Sequence, residues 1–292
     1  MKLIDLYRQI IKCGAQADPR KNKFLIKSYP DSQLLYGAQN TQVRKIMVGI
    51  DIEVADLLLA DRIRSQEGLD LVLGHHPEGA AYTGLHEVMR LQVDLLAQAG
   101  VNRKSAEQLL DKRMQEVERR VLGQNHTRPI DAAKLLKLPY INAHTPADNQ
   151  VYRFLEKLFL KAKPKKLTDA IDLLMRVPEY KIAAKFNAGP KVILGSLNRP
   201  VGKVYFEMTG GTEGPKEVFD KLYKAGVRTL VSMHLSEEHL KKAIEANLNV
   251  VIAGHISSDT LGLNLLLDKL EARFKENFQI INCSGFTRIK RK

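Results

Sequence analysis

The chain has 292 residues, with 46 lysines and arginines against 33 aspartates and glutamates, a formal net charge of +13. That length suits one large or two modest domains, and 44% hydrophobic with 27% charged residues is ordinary globular composition, which excludes a fibre or a disordered tail protein. No apolar run approaches the roughly 20 residues of a membrane span, and Cys13 and Cys283 are too few for a disulfide framework, so a cytoplasmic protein with no membrane partner is expected.

The first residues place Leu3, Ile4, Tyr7, Ile10 and Ile11 on one side of an amphipathic helix, and charge interrupts them too often for a secretory leader. Short β-branched runs follow at 45–50, 69–74, 138–143, 191–195, 203–209, 229–233, 249–254 and 278–282. They alternate with helical patterns at 53–64, 148–161, 215–225, 236–246 and 259–275, and this alternation predicts an α/β fold. The stretch 85–122 is purely helical. It reads as an αα-hairpin turning near Gly100-Val101-Asn102, with Ser105-Ala106-Glu107-Gln108 as a capping box and Leu110, Met114, Val117 and Val121 on one face. A structural or oligomerisation role is expected of it. The run Lys161-Ala162-Lys163-Pro164-Lys165-Lys166 interrupts the pattern, which sets a first lobe at 1–165, holding the hairpin, and a second at 166–292.

The basic surplus is partly concentrated. Lys181, Lys185, Lys191, Arg199 and Lys203 occur with no acid between them, and the chain closes on Arg288, Lys290, Arg291 and Lys292. Such patches attract phosphates, although a solvated basic face is the plain alternative. No zinc finger or aromatic-rich RNA-binding signature accompanies them and tryptophan is absent, so nucleic acid is a secondary expectation.

Four of the eight histidines end strands: His75 and His76 follow Leu73-Gly74, His144 follows Asn142-Ala143, and His255 follows Ala253-Gly254. In open α/β sheets ligands bind beyond the carboxyl ends of strands, so these imidazoles fall where a site is expected. His144 and His255 are each followed four residues later by a carboxylate, Asp148 and Asp259. On a helix, residues four apart share a face and can converge on one ion, and a loop could bring the pair together as well. Imidazole and carboxylate ligands favour Zn, Fe, Mn or Ni. Adjacent His75 and His76 point opposite ways on a regular strand, which suits two ions rather than one. A single strand-end histidine is usually an ordinary hydrogen-bonded residue; three such ends with two His-x3-Asp spacings point to a metal site. His86, His126 and His239 lack this context, and His234, at a further strand end, is expected at most behind the ligands.

Gly74-His75-His76-Pro77, Asn142-Ala143-His144-Thr145-Pro146-Ala147-Asp148 and Ala253-Gly254-His255-Ile256-Ser257-Ser258-Asp259 resemble the three signatures of the GTP cyclohydrolase I type 2 homologue family, the Nif-three-like proteins. Asp51 and the segment Lys203-Val204-Tyr205-Phe206-Glu207-Met208-Thr209-Gly210-Gly211 are similar to further family positions. The resemblance implies a two-lobed fold with mixed sheets flanked by helices and a toroidal homohexamer. It also implies two divalent metal ions per subunit, bound by His75, His76, Asp148, His255 and Asp259. His144 matches a position beside the metals, as an outer ligand or catalytic proton shuttle. Two departures stand out: the family usually carries Glu where this chain has Asp259, and the hairpin 85–122 is longer than the usual connection.

The expected function is metal-dependent hydrolysis of a nucleotide or other phosphorylated small molecule, cyclohydrolase-like by resemblance. The basic stretch 181–203 and the Gly210-Gly211 turn are the expected phosphate holders. The rival is a non-catalytic metal-binding ring that engages nucleic acid or a regulatory partner.

Overall fold

The structure, a computed structural model, describes residues 1–291; Lys292 lies outside the described residues. The amphipathic start forms α1 (Leu3–Ala17), with Leu3, Leu6, Ile10 and Ile11 buried. Two mixed sheets follow. The first has the order β1 (Leu34–Tyr36), β4 (Tyr140–Asn142), β3 (Leu71–Gly74), β2 (Lys45–Gly49), β9 (Gln279–Asn282), parallel except for β1 against β4. The second has the order β5 (Lys191–Leu194), β8 (Asn249–Ile252), β7 (Val227–Ser232), β6 (Lys203–Glu207), parallel except for β5 against β8. Central parallel strands are covered on both faces, which is why Leu71-Val72-Leu73 and Asn249-Val250-Val251 are buried throughout.

Helices α8 (Thr145–Ala162) and α13 (His255–Phe274) lie between the sheets and serve both. Ala147 of α8 and Leu263, Leu266, Leu267 and Leu270 of α13 join α1 over the first sheet. Val151, Leu155 and Phe159 of α8 and Leu261 of α13 belong to the core of the second. The opposite face of the first sheet is covered by α2 (Val54–Glu67) and α7 (Arg128–Leu136).

Between β3 and α7 run α3 (Ala80–Thr83), α4 (Leu85–Val88), α5 (Leu91–Ala99) and α6 (Arg103–Leu122). The α5–α6 pair is the expected hairpin, and Gly100 turns it in a left-handed conformation, φ +102°. The N-cap differs from expectation. Asn102 caps α6 by accepting from the Ser105 backbone N–H at 3.1 Å, so Ser105 already lies inside the helix.

Two departures concern the lobes. The hairpin precedes the boundary in sequence, yet Leu95, Leu96, Leu110, Met114 and Val117 share one core with β6, β7, α9 (Leu167–Leu174) and α11 (Val218–Lys224). Lys203 Nζ donates to Ala99 O at 2.6 Å across this contact. In the other direction β9 pairs with β2 in parallel, so the expected second lobe, 166–292, yields its last strand to the first sheet. Each segment buries its apolar face where a complementary one is exposed, and the chain exchanges one element each way.

Candidate metal centre

Three strands deliver the histidines to one place. Gly74 of β3 pairs with Asn142 of β4, so His75 and His144 emerge side by side with ring centroids 4.9 Å apart. His255 arrives from the second sheet as the first residue of α13, its ring 5.2 Å from that of His76. The strand has ended before His75 and His76, whose backbone N–H groups both reach Ile50 O, at 3.2 and 3.0 Å. Strand alternation no longer separates them, and their rings lie 5.1 Å apart.

The carboxylates come from the starts of two helices, Asp148 from the first turn of α8 and Asp259 from just beyond the first turn of α13. α8 starts at Thr145 and α13 at His255, so the helical version of the His-x3-Asp spacing is the one adopted. Partial positive charge at a helix start favours acids there. Asp148 and Asp259, 4% and 1% exposed, meet above His75, whose Nε2 lies 3.4 Å from an oxygen of each. The other oxygen of Asp259 lies 3.5 Å from Nε2 of both His76 and His255.

Tautomers sharpen this geometry. His75 Nδ1 lies 3.1 Å from Ala143 O, which can only accept, so Nδ1 carries the hydrogen and a neutral ring presents Nε2 as a lone pair. Asp51 lies 2.6 Å from Nδ1 of His76, and Asp31 lies 2.8 Å from Nδ1 of His144, with the same consequence. Among the described residues, buried Nε2 of His75, Oδ1 of Asp148 and both oxygens of Asp259 have no hydrogen-bond partner. Lone pairs turned on one another in a buried site are unfavourable until a cation stands among them. In the protein alone protons take that role. Burial opposes charge on His75, yet Asp259 and Asp148 hold its pKa well above the ordinary imidazole value. His76, against the same burial, is raised to about 9 by Asp259 and Asp51. Burial would raise the Asp259 carboxyl, but His75, His76 and His255 hold it far below the carboxylate range.

The donor set therefore fits divalent transition metals. Three groups bring their ligand atoms within 4.8 Å of one another: His75, Asp148 and Asp259; His76, His255 and Asp259; and His75, His76 and His144. His144, expected beside the metals, belongs to the third group, and its Nε2 lies 3.8 Å from Asp148.

Asp31 escaped sequence reasoning. Its carboxylate accepts from His144 and from the Thr145 hydroxyl at 2.6 Å, while Ser32 Oγ accepts the His144 backbone N–H at 2.9 Å. Asn142 Nδ2 donates to Asp31 O at 2.6 Å and fixes the loop. His234, expected at most behind the ligands, instead faces the open space at the cluster: its ring lies 4.7 Å from that of His255 and it lines both cavities beside it.

An inner cavity of about 40 Å³, lined by His144, Asp148, Glu207 and Asp259, adjoins a mouth of about 370 Å³. The expected phosphate holders take other roles. Arg199 donates to Asn247, Lys203 donates to Ala99 O, and none of the five basic residues of 181–203 lines either cavity. The Gly210-Gly211 turn borders the inner cavity through Gly211 but is a packing turn: Gln92 Nε2 donates to Gly210 O and Thr212 O at 2.8 and 2.7 Å. The next helix, α11, starts only at Val218.

Residues 21–286 match the family described as Duf34/NIF3 (NGG1p interacting factor 3). The chain belongs to the Duf34/NIF3 family. A NIF3 superfamily protein of Sphaerobacter thermophilus shares its fold with a TM-score of 0.81 and 28% identity, over 95% of this chain and 98% of that one. Reduced HcgD of Methanocaldococcus jannaschii has a TM-score of 0.54 at 17% identity, over 97% of both chains. A Thermus thermophilus protein has 0.54 at 18%, over 99% of this chain and 100% of that one; at these identities the likeness concerns the fold alone. No curated protein matches the chain. The two mixed sheets are thus a NIF3 architecture, and among the described residues of this NIF3 chain no helix is long and apolar enough to cross a membrane.

Proposed function

We propose that this NIF3 chain is a dinuclear metal-dependent hydrolase acting on a nucleotide or other phosphorylated small molecule. The observation that carries the reading is the convergence of bare buried ligand atoms, with Asp259 common to two of the three groups. One ion would be held by His75, Asp148 and Asp259 and the other by His76, His255 and Asp259. The two oxygens of the shorter Asp259 face different imidazoles, one His75 and the other His76 and His255, so this one side chain could serve both groups. When bound, such a pair lowers the pKa of a shared water and stabilises charge on the reacting centre.

The chain's own residues do the rest. Asp31 and Asp51 keep Nδ1 of His144 and His76 protonated and aim each Nε2 inward, which fixes tautomer and ring orientation. His144, 7% exposed and at the edge of both cavities, is the residue placed to take a proton from an attacking water and return it to a leaving group. Burial raises the Glu207 carboxyl on the inner wall above its ordinary value, against the Gly214 N–H that it accepts.

Metal analysis of untagged protein tests the site. Wild type should hold metal, and the paired variant H75A/D259A should lose it; full metal in that variant would sink the assignment. Hydrolysis of nucleotides and phosphate esters should disappear with chelator and return with Mn²⁺, Zn²⁺ or Fe²⁺.

A second reading is favoured by Lys181, Lys185 and Lys191, which lie exposed away from the cavities: polyanion binding on the outer surface. That binding should fall steeply with salt and ignore chelator. A hexameric ring is proposed from the family resemblance, and Phe186, 77% exposed, and Leu197, 55% exposed, are apolar side chains that such an assembly could cover. Light scattering at a subunit mass of 32.9 kDa reads the assembly.

A further inference from the structure

The wall of the mouth facing the second half of the chain is built from an unexpected segment. After α6 ends at Leu122 the chain runs through Gln124, Asn125 and His126 to Arg128, the first residue of α7, and all four line the same cavity as His76, His144 and His255. The segment is anchored. Gly79 N–H donates to His126 O at 2.8 Å, and Pro129 and Ile130 immediately after it are buried. A Cβ at Gly79 would stand 3.0 Å from Ile130, so β3's exit loop and the start of α7 are packed against each other.

Arg128 is the one lysine or arginine among the residues lining this mouth. Its side chain is exposed, and among the described residues it makes neither an ion pair nor a hydrogen bond. The arginines of the helical hairpin and its approach are engaged by contrast: Arg113 with Glu116 and Glu213 O, Arg90 with Asp111, Arg103 with Asp94 and Glu107. A guanidinium left free at the mouth of a cavity, with amide donors of Gln124 and Asn125 beside it, matches the fork geometry that binds carboxylate or phosphate. The acid in its vicinity, Glu78, also lines the mouth but lies beyond ion-pair distance.

We propose that Arg128 is the specificity-determining residue of this site, and that it binds an oxyanion carried by the substrate at a distance from the bond that reacts at the histidine–aspartate cluster. The inference rests on the hydrolase reading and places its anion recognition on the segment after the helical hairpin, away from the basic run 181–203. Residues 124–128 and Tyr82 then decide which substrates enter, while the strand-end cluster decides what is done to them.

Wild type and the variants R128A and R128K, each loaded with Mn²⁺, should be titrated calorimetrically with inorganic phosphate, tripolyphosphate and glutarate. Metal content and thermal midpoint are measured on the same samples; both should be unchanged in the variants, because Arg128 is exposed and holds no partner. Expected is a loss of about 10- to 100-fold in affinity for tripolyphosphate, glutarate or both in R128A, the range for one charged hydrogen-bonding fork. A smaller loss is expected in R128K, and little change for single phosphate, which is too short to span cluster and wall. Loss confined to tripolyphosphate names a phosphate as the anion, and loss confined to glutarate names a carboxylate. Equal affinities in wild type and R128A for both long probes, or no binding of either by wild type, would overturn the proposal. A failure of metal to load shows separately in the metal content and counts against the hydrolase reading alone.

Discussion

His144 owes its orientation to Asp31, a residue 113 positions away in sequence that supplies no ligand atom to the three groups. D31N keeps the size but turns an acceptor of the Nδ1 hydrogen into a group that can also donate, which loosens the tautomer. Hydrolytic activity should fall about 10- to 100-fold, the usual cost of losing such a partner, while competition against a metal-sensitive dye shows metal affinity kept; full activity in D31N would remove His144 from the proposed proton transfer. Glu213 sets a different expectation. Burial would raise its carboxyl, but His234, His239 and the Ser236 N–H bring its pKa to about 2, against 4.5 for the free group. A folded value below the unfolded one means its stabilisation is complete above about pH 4.5 and is lost as the pH falls toward 2. In urea unfolding the stability gap between wild type and E213Q should therefore narrow between pH 5 and pH 2.5. The strand-end histidines and both aspartates were legible because they are local: an apolar run, an imidazole, and an acid one helical turn on. Asp31 was not, since a lone acid in Pro30-Asp31-Ser32 carries no periodicity, and only the folded chain brings it to His144.

Why two acids on separate helices meet is a question for α8 and α13. Gly262, one turn after Asp259, lets the helices approach so closely that a Cβ there would stand 2.7 Å from Ala147 O and 2.9 Å from Val151. Ala147 in turn precedes Asp148, so this contact sets the separation of the carboxylates. G262A should push the helices apart, costing about 1–3 kcal/mol from overpacking and weakening metal binding although every ligand is retained. Chemical denaturation and metal competition on one sample separate the two effects; full affinity in a destabilised variant would show that the contact is structural only. The helices and strands that were expected formed with edges moved by a few residues, but α7 and the short helix Pro178–Ala184 were not read. β1 was missed because three half-buried residues make no run. The hairpin was recognised, but an amphipathic face states only that a partner exists. Its partner proved to be the second sheet, and Gln92 of α5 ties it to the Gly210 turn.

At the scale of the molecule, the candidate centre takes His75, His76 and Asp148 from one half of the chain and His255 and Asp259 from the other. Bound metal then favours the folded state of the whole, by about 2.7 kcal/mol when free metal is a hundredfold above its dissociation constant. For a chain of this size that corresponds to a rise of about 5 °C or more in thermal midpoint. Calorimetry with chelator and then with Mn²⁺ should show one transition that shifts as a unit; a shift in only part of the heat absorption would mean that the halves unfold separately. The return of β9 to the first sheet was beyond sequence reading, because a short apolar strand looks the same at either sheet's edge. It carries a consequence for how the protein is made. During synthesis the first sheet waits, missing its β9 edge, until residues 279–282 have left the ribosome, and Asp259, shared by two ligand groups, emerges only shortly before that strand. A nascent chain that stops short of α13 displays His75, His76 and Asp148 but cannot complete the cluster, so a metal bound as proposed would be captured only once the second sheet's helix has been made.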